Sequence, residues 1–195
     1  MKKSTLFFFY PRGIMLLLIA LLSSCVAAVV AVGAAGGMVV YDKRNMVAIE
    51  KDARIFYLVR KEIMTDPRFK NSRIVVSSFN QSVLLAGQTP TASLRVLAEK
   101  IAQRTPFVKR VYDEITIDYP LPIVQRSKDS LITGQIKSAM LARKGLESGS
   151  IHVVTENGVV YLMGMVTLEQ ANIAVNVARQ IKGVNKVVKV FQYSR

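Results

Sequence analysis

The stretch IHVVTENGVVYLMG, Ile151 to Gly164, reads as two strands around a tight turn, and a second version of it, IVVSSFNQSVLLAG, runs from Ile74 to Gly87. The Asn157-Gly158 pair supplies the positive φ angles that a two-residue hairpin needs, and Asn80 holds the matching place. The offset of 77 residues extends outward from the hairpins. Lys51-Asp52 matches Lys128-Asp129, Ile55 matches Ile132, and Val83, Leu85 and Gly87 match Val160, Leu162 and Gly164. Past one deletion the offset becomes 76, and Val108 and Val111 fall on Val184 and Val187. A unit this long exceeds the solenoid repeats, so the chain reads as two duplicated domains.

Each domain has the same order. A first helix presents Ile55, Val59 and Ile63 in one copy, and Ile132, Ile136, Ala139 and Met140 in the other, at helical spacing. The hairpin follows, as Arg73–Ser78 with Ser82–Ala86 and as Ile151–Thr155 with Val159–Met163. A second helix carries Leu94, Leu97, Ala98 and Ile101, repeated as Ala171, Ala174, Val175 and Ala178. Thr89 with Pro90 is expected to cap one of these helices, and Thr167 with Gln170 to form a capping box on the other. A last strand, about 108–117 and 186–192, is reached through a crossover helix and is expected to pair parallel to the second strand. The fold class is therefore α+β: two tandem α-β-β-α-β modules, each with a three-stranded mixed sheet and both helices on one face. Tyr119-Pro120-Leu121-Pro122 marks a stiff linker.

The N-terminus adds an address. Lys2, Lys3 and Arg12 precede an apolar run from Ile14 to Leu22, then come two serines and Cys25, the only cysteine of the 195 residues. This is the layout of an export signal, and Leu22-Ser23-Ser24-Cys25 resembles the lipobox of bacterial lipoproteins. That resemblance implies cleavage before Cys25 and acylation of its thiol and new amine. An uncleaved spanning segment is the competing reading, since apolar residues continue from Val26 to Val40. The small, Gly-rich run Gly33 to Gly37 favours a tether. The divisions expected are a signal at 1–24, an acylated tether at 25–46, modules at 47–118 and 126–195, and a linker at 119–125.

The formal charge of +14 falls to +11 once Lys2, Lys3 and Arg12 are removed. A basic exported chain points to polyanions, and an acyl anchor favours lipid headgroups over nucleic acid. No platform of stacking aromatics accompanies the scattered basic residues, so a nucleic-acid partner is not expected. One histidine, His152, with no nucleophile and base at working spacing, gives no basis for an enzyme, a metal site or a cofactor. Asp52, Asp129 and Glu156 read as helix-start and turn residues.

The repeated unit, with Val160-Tyr161-Leu162-Met163-Gly164-Met165-Val166 and the weaker Val83-Leu84-Leu85-Ala86-Gly87-Gln88, resembles the BON domain. Signal, lipobox, tether and two such units together are similar to dual-BON outer-membrane lipoproteins of the DolP type. The resemblance implies an outer-membrane, lipid-anchored protein facing the periplasm. It also implies binding to anionic phospholipid through the second BON domain and support of outer-membrane integrity. Val26, where an inner-membrane sorting signal would place aspartate, agrees with this. The duplication nominates a contact: Leu131 stands about 100° from Ile132 on the helix, and its counterpart is Arg54, so it is no core position. Arg126, Lys128, Lys137, Arg143 and Lys144 surround it in sequence. Apolar insertion beside cations is interfacial lipid chemistry. Some members of the family carry an aromatic residue near the start of this helix, where Ser130-Leu131-Ile132 has none. The alternative is an interaction scaffold whose first module docks an envelope protein.

Overall fold

The computed structural model describes residues 45–194. Cys25, the export signal and the expected tether up to residue 44 lie outside the described residues, while its last two residues, Asn45 and Met46, are the N-cap and first residue of the first helix. Module 1 runs α1 (Met46–Thr65), a 3-10 turn (Pro67–Phe69), β1 (Arg73–Phe79), β2 (Ser82–Thr89), α2 (Ala92–Arg104) and β3 (Arg110–Ile117). Module 2 repeats it as α3 (Ile123–Leu141), a 3-10 turn (Ser148–Ser150), β4 (Ile151–Glu156), β5 (Val159–Val166), α4 (Leu168–Arg179) and β6 (Lys186–Tyr193). In each sheet the middle strand pairs antiparallel with the first and parallel with the last, as the crossover helix requires.

The two turns differ in sequence but share a brace. Asn157 and Gly158 take φ values of 53° and 71°, while module 1 places Asn80 and Gln81 at 45° and 62°. Holding Gln81 in the left-handed region requires compensation. The buried Asp52 supplies it, accepting from the backbone N–H groups of Asn80 at 2.6 Å and Gln81 at 2.8 Å. Asp129 does the same for Asn157 and Gly158 at 2.8 and 2.9 Å. These aspartates are therefore not helix-start residues. The helices begin six residues earlier, at Met46 and Ile123, and each aspartate faces inward from the second turn. Glu156 is no turn residue either, since it closes β4 and is buried.

Two further boundaries move. Thr167 and Gln170 form the full capping box on α4, but α2 is capped by Thr91, not Thr89. Thr89 is held in the sheet opposite Ile117, and its hydroxyl donates to the Thr91 carbonyl at 3.2 Å. The helix α3 takes in residues 123–125 of the expected linker, with Pro122 at its N-cap; a proline is tolerated there because its missing N–H has no intrahelical partner.

Each pair of helices covers one face of its own sheet. Ile55, Val59, Val83, Leu85, Ala98 and Ile101 form one such core, and Ile132, Ile136, Val160, Leu162, Ala174 and Ala178 the other. A third cluster joins the modules: Phe79, Leu84 and Ala86 from module 1 meet Tyr161, Met163 and Val190 from module 2. The two sheets thus pack face to face, giving helix, sheet, sheet, helix. This explains why β2 is buried along its whole length, since a strand covered on both faces reads as a continuous apolar run. Polar contacts fasten both ends. Gln192 exchanges hydrogen bonds with Asn80 and donates to the Ser82 hydroxyl, and His152 lies edge-on to Phe79 with ring centres 5.0 Å apart. At the other end Glu156 accepts from Gln88 at 3.1 Å and lies 3.3 Å from the Arg73 guanidinium. Burial in this seam pushes the Tyr161 phenol up to about 12, aided by the Glu114 and Glu156 charges.

Candidate functional site

The helix α3 turns Asp129, Ile132, Ile136 and Met140 inward. At 100° per residue, the opposite arc holds Ile123, Val124, Ser127, Leu131, Gly134, Ser138 and Leu141. All seven are exposed and none is charged. Ile123 is 75% exposed, Val124 68% and Leu131 67%. The Ser127 hydroxyl donates back to the Ile123 carbonyl at 3.0 Å, so its donor is spent within the helix. The result is a neutral stripe with apolar studs, about 27 Å long at 1.5 Å per residue.

Of the residues nominated from sequence, Leu131 sits in this stripe as its repeat argument required. Lys128 and Lys137 are exposed on its two flanks, and Arg143 and Lys144 are exposed just past the end of the helix. Arg126 is not brought to it. It projects about 140° around the helix from Leu131, and its Nε donates to the Leu121 carbonyl at 2.7 Å. That bond, with the one from Leu121 N–H to Gln88, pins the linker to both modules. Ile123 and Val124 were missed because they lie inside the expected linker. The seven-residue spacing of Val124 and Leu131 was the available signal, since two turns return a side chain to nearly the same face. Tyr119, 76% exposed, stands four residues ahead of the helix and provides an aromatic ring that Ser130-Leu131-Ile132 lacks.

Module 1 supplies an internal comparison. The corresponding arc of α1 reads Met46, Val47, Glu50, Arg54, Tyr57, Lys61 and Met64. One fold thus carries a charged outer face on one copy and a neutral one on the other. Burial holds the Glu156 carboxyl above its usual range, against the lowering pull of its Gln88 hydrogen bond and of Arg73. Among the described residues no cluster of His, Cys, Asp and Glu is placed to hold a metal ion, and no helix is long and apolar enough to cross a membrane.

Two α-β-β-α-β modules joined sheet to sheet define a two-domain BON protein, and the chain belongs to that family: the BON domain model matches residues 51–119 and 128–195. Among characterised relatives it is 36% identical, over 80% of its length and 81% of the other chain, to the outer membrane lipoprotein DolP of Haemophilus influenzae. It is also 38% identical to a 21 kDa hemolysin of Actinobacillus pleuropneumoniae, over 73% and 72% of the two chains. These matches place it with dual-BON lipoproteins of the DolP type, in a non-enzymatic group of outer-membrane-associated envelope proteins. A solved structure, the C-terminal domain of the Chlamydia trachomatis type III secretion protein CdsD, aligns over 78% of this chain and all of its own. At 13% identity and a TM-score of 0.31, that likeness has no bearing on function.

Proposed function

We propose that this protein is a lipid-anchored component of the outer membrane, facing the periplasm, whose second module lays the outer face of α3 on anionic phospholipid and thereby supports outer-membrane integrity. The observation that carries the reading is the uncharged stripe of α3 with Val124 and Leu131, on a face that Glu50, Arg54 and Lys61 make charged in α1 although its apolar start, Met46 and Val47, is shared. Hydrocarbon from the stripe enters the acyl boundary, and each flanking cation adds about 1 kcal/mol from anionic headgroups. Cys25 provides the durable attachment through its acyl chains, each buried methylene contributing about 0.8 kcal/mol. The nineteen residues between Cys25 and Asn45 bound the reach to about 70 Å, which keeps module 2 concentrated near its own bilayer.

The test is Leu131→Glu in a soluble chain lacking residues 1–44, measured by co-sedimentation with phosphatidylglycerol vesicles. Loss of binding with an unchanged circular dichroism spectrum is expected. Unchanged binding refutes the site.

A further inference from the structure

We propose that module 1 carries a docking surface for an acidic segment of another protein, centred on the ring of Phe107 and the cations beside it. Phe107 takes a φ of 72°, a left-handed conformation that bulky residues avoid. Its counterpart in module 2 is Gly183, at a φ of 95°. The turn therefore works with glycine, and module 1 instead holds a large apolar ring there, 46% exposed. Strain kept at an exposed position points to use rather than packing.

The surroundings say what the ring is for. Lys51 Nζ and the Arg54 guanidinium carbon each lie 5.8 Å from its centre. One turn along α1, Lys61 Nζ lies 5.8 Å from the exposed ring of Tyr57. Among the described residues none of these three cations has a carboxylate partner, whereas Arg104 at the end of α2 is paired with Glu62. Beside Lys61 a groove of about 450 Å³ is lined by Leu58, Glu62, Thr65, Arg104, Thr105 and Pro106, the last adjoining Phe107 in sequence, and its one carboxylate, Glu62, is already paired with Arg104. Aromatic rings and arginine beside unpaired cations form an anchor for a carboxylate-bearing chain. Module 2 replaces Arg54, Tyr57, Lys61 and Phe107 by Leu131, Gly134, Ser138 and Gly183, so the surface is not a by-product of the fold.

A polypeptide fits better than a second stretch of bilayer. Glu50 shares the outer face of α1 with Arg54 and Tyr57, and a continuous anionic surface would oppose it, while a peptide can place a neutral or basic residue there. With the layers ordered helix, sheet, sheet, helix, α1 and α3 belong to opposite outer layers and their outer arcs face away from each other. The surface is built by module 1 alone and stands whether or not α3 touches lipid.

The experiment uses the full chain in neutral detergent micelles and fluorescence anisotropy of a labelled glutamate-rich peptide containing leucine, with a lysine-rich peptide as control. Saturable binding of the acidic peptide alone is expected. Phe107→Gly, which restores the residue of the matching turn and so retains folding, should weaken it about tenfold, Arg54→Glu should abolish it, and Leu131→Glu should leave it unchanged. No saturable binding, or equal binding by the Phe107→Gly and Arg54→Glu variants, overturns the proposal. So does displacement of the peptide by phosphatidylglycerol added to the micelles, equally in the native chain and in Leu131→Glu, because lipid would then occupy the surface.

Discussion

If the outer face of α3 enters the bilayer as a stripe, Val124 must contribute independently of Leu131. Complete burial of a valine or leucine side chain contributes about 1.5–3 kcal/mol. Both residues keep about two-thirds of their surface exposed, 68% and 67%, so insertion offers each about 1–2 kcal/mol. At 1.4 kcal/mol per decade, Leu131→Ser should weaken vesicle binding about five- to thirtyfold, and Val124→Ser by a similar factor. The two positions stand about 10 Å apart along the helix axis, far enough for the losses to add, and the double variant should lose about a hundredfold. Lys128→Ala should cost about 1 kcal/mol, with a penalty that fades at high salt. Titrations of phosphatidylglycerol-containing and phosphatidylcholine vesicles with the soluble chain, at two salt concentrations, measure all four variants. An unaffected Val124→Ser beside a damaged Leu131→Ser would refute the stripe and reduce the contact to a point. Equal affinity for the neutral vesicles would refute the role of the cations.

Replacing Asp129 by alanine removes two charge-assisted bonds to the Asn157 and Gly158 N–H groups, one of them buried; urea midpoints should fall by an amount equivalent to about 3 kcal/mol or more. Glu156 sets a pH dependence. Its carboxyl is raised in the folded chain by burial, so the native state binds the proton more tightly than the unfolded state. Stability from this group is present at acid pH and is lost as pH rises from about 4.5 through the raised value. Glu156→Gln should therefore gain on the native chain between pH 4 and pH 7 in urea titrations; parallel curves would contradict the assignment.

The hairpins, the crossover and the α4 capping box were legible because they rest on local periodicity and on residue types demanded by a turn. The duplication then made them visible twice. Long-range partners were harder to read. Asp52 meets its turn 28 residues on, and a lone aspartate inside a helical pattern looks like a charge on a solvated face. The sheet-to-sheet seam did leave a trace, since Val83-Leu84-Leu85-Ala86 is apolar on both faces of the strand. That trace says only that something covers the second face, not that the sister module does. The start of α3 was hidden by Pro120 and Pro122, which read as linker residues although a proline at the N-cap leaves the helix intact. At the candidate site Leu131 was found because its repeat partner is a cation, while Val124, whose partner Val47 is also apolar, escaped the same test.

Duplication followed by face-to-face packing explains why the two outer surfaces were free to diverge. Once each sheet buries its open face against the other, both copies must keep their inner residues: Ile55 and Ile132, Val59 and Ile136, and the aspartate braces are retained. The outward arcs of α1 and α3 carry no such duty. A change from Arg54 to leucine disturbs neither the module cores nor the seam, so that arc can acquire its own partner without unfolding the pair. A side chain at Gly183, by contrast, would crowd the core residue Ile132 at 3.0 Å, and the ring at this turn is confined to module 1. The same packing fixes those arcs on opposite sides, because a helix layer covered by neither sheet has only the outside left to face. If α3 holds lipid as proposed, the opposite arc, where the Phe107 surface lies, faces away from that bilayer.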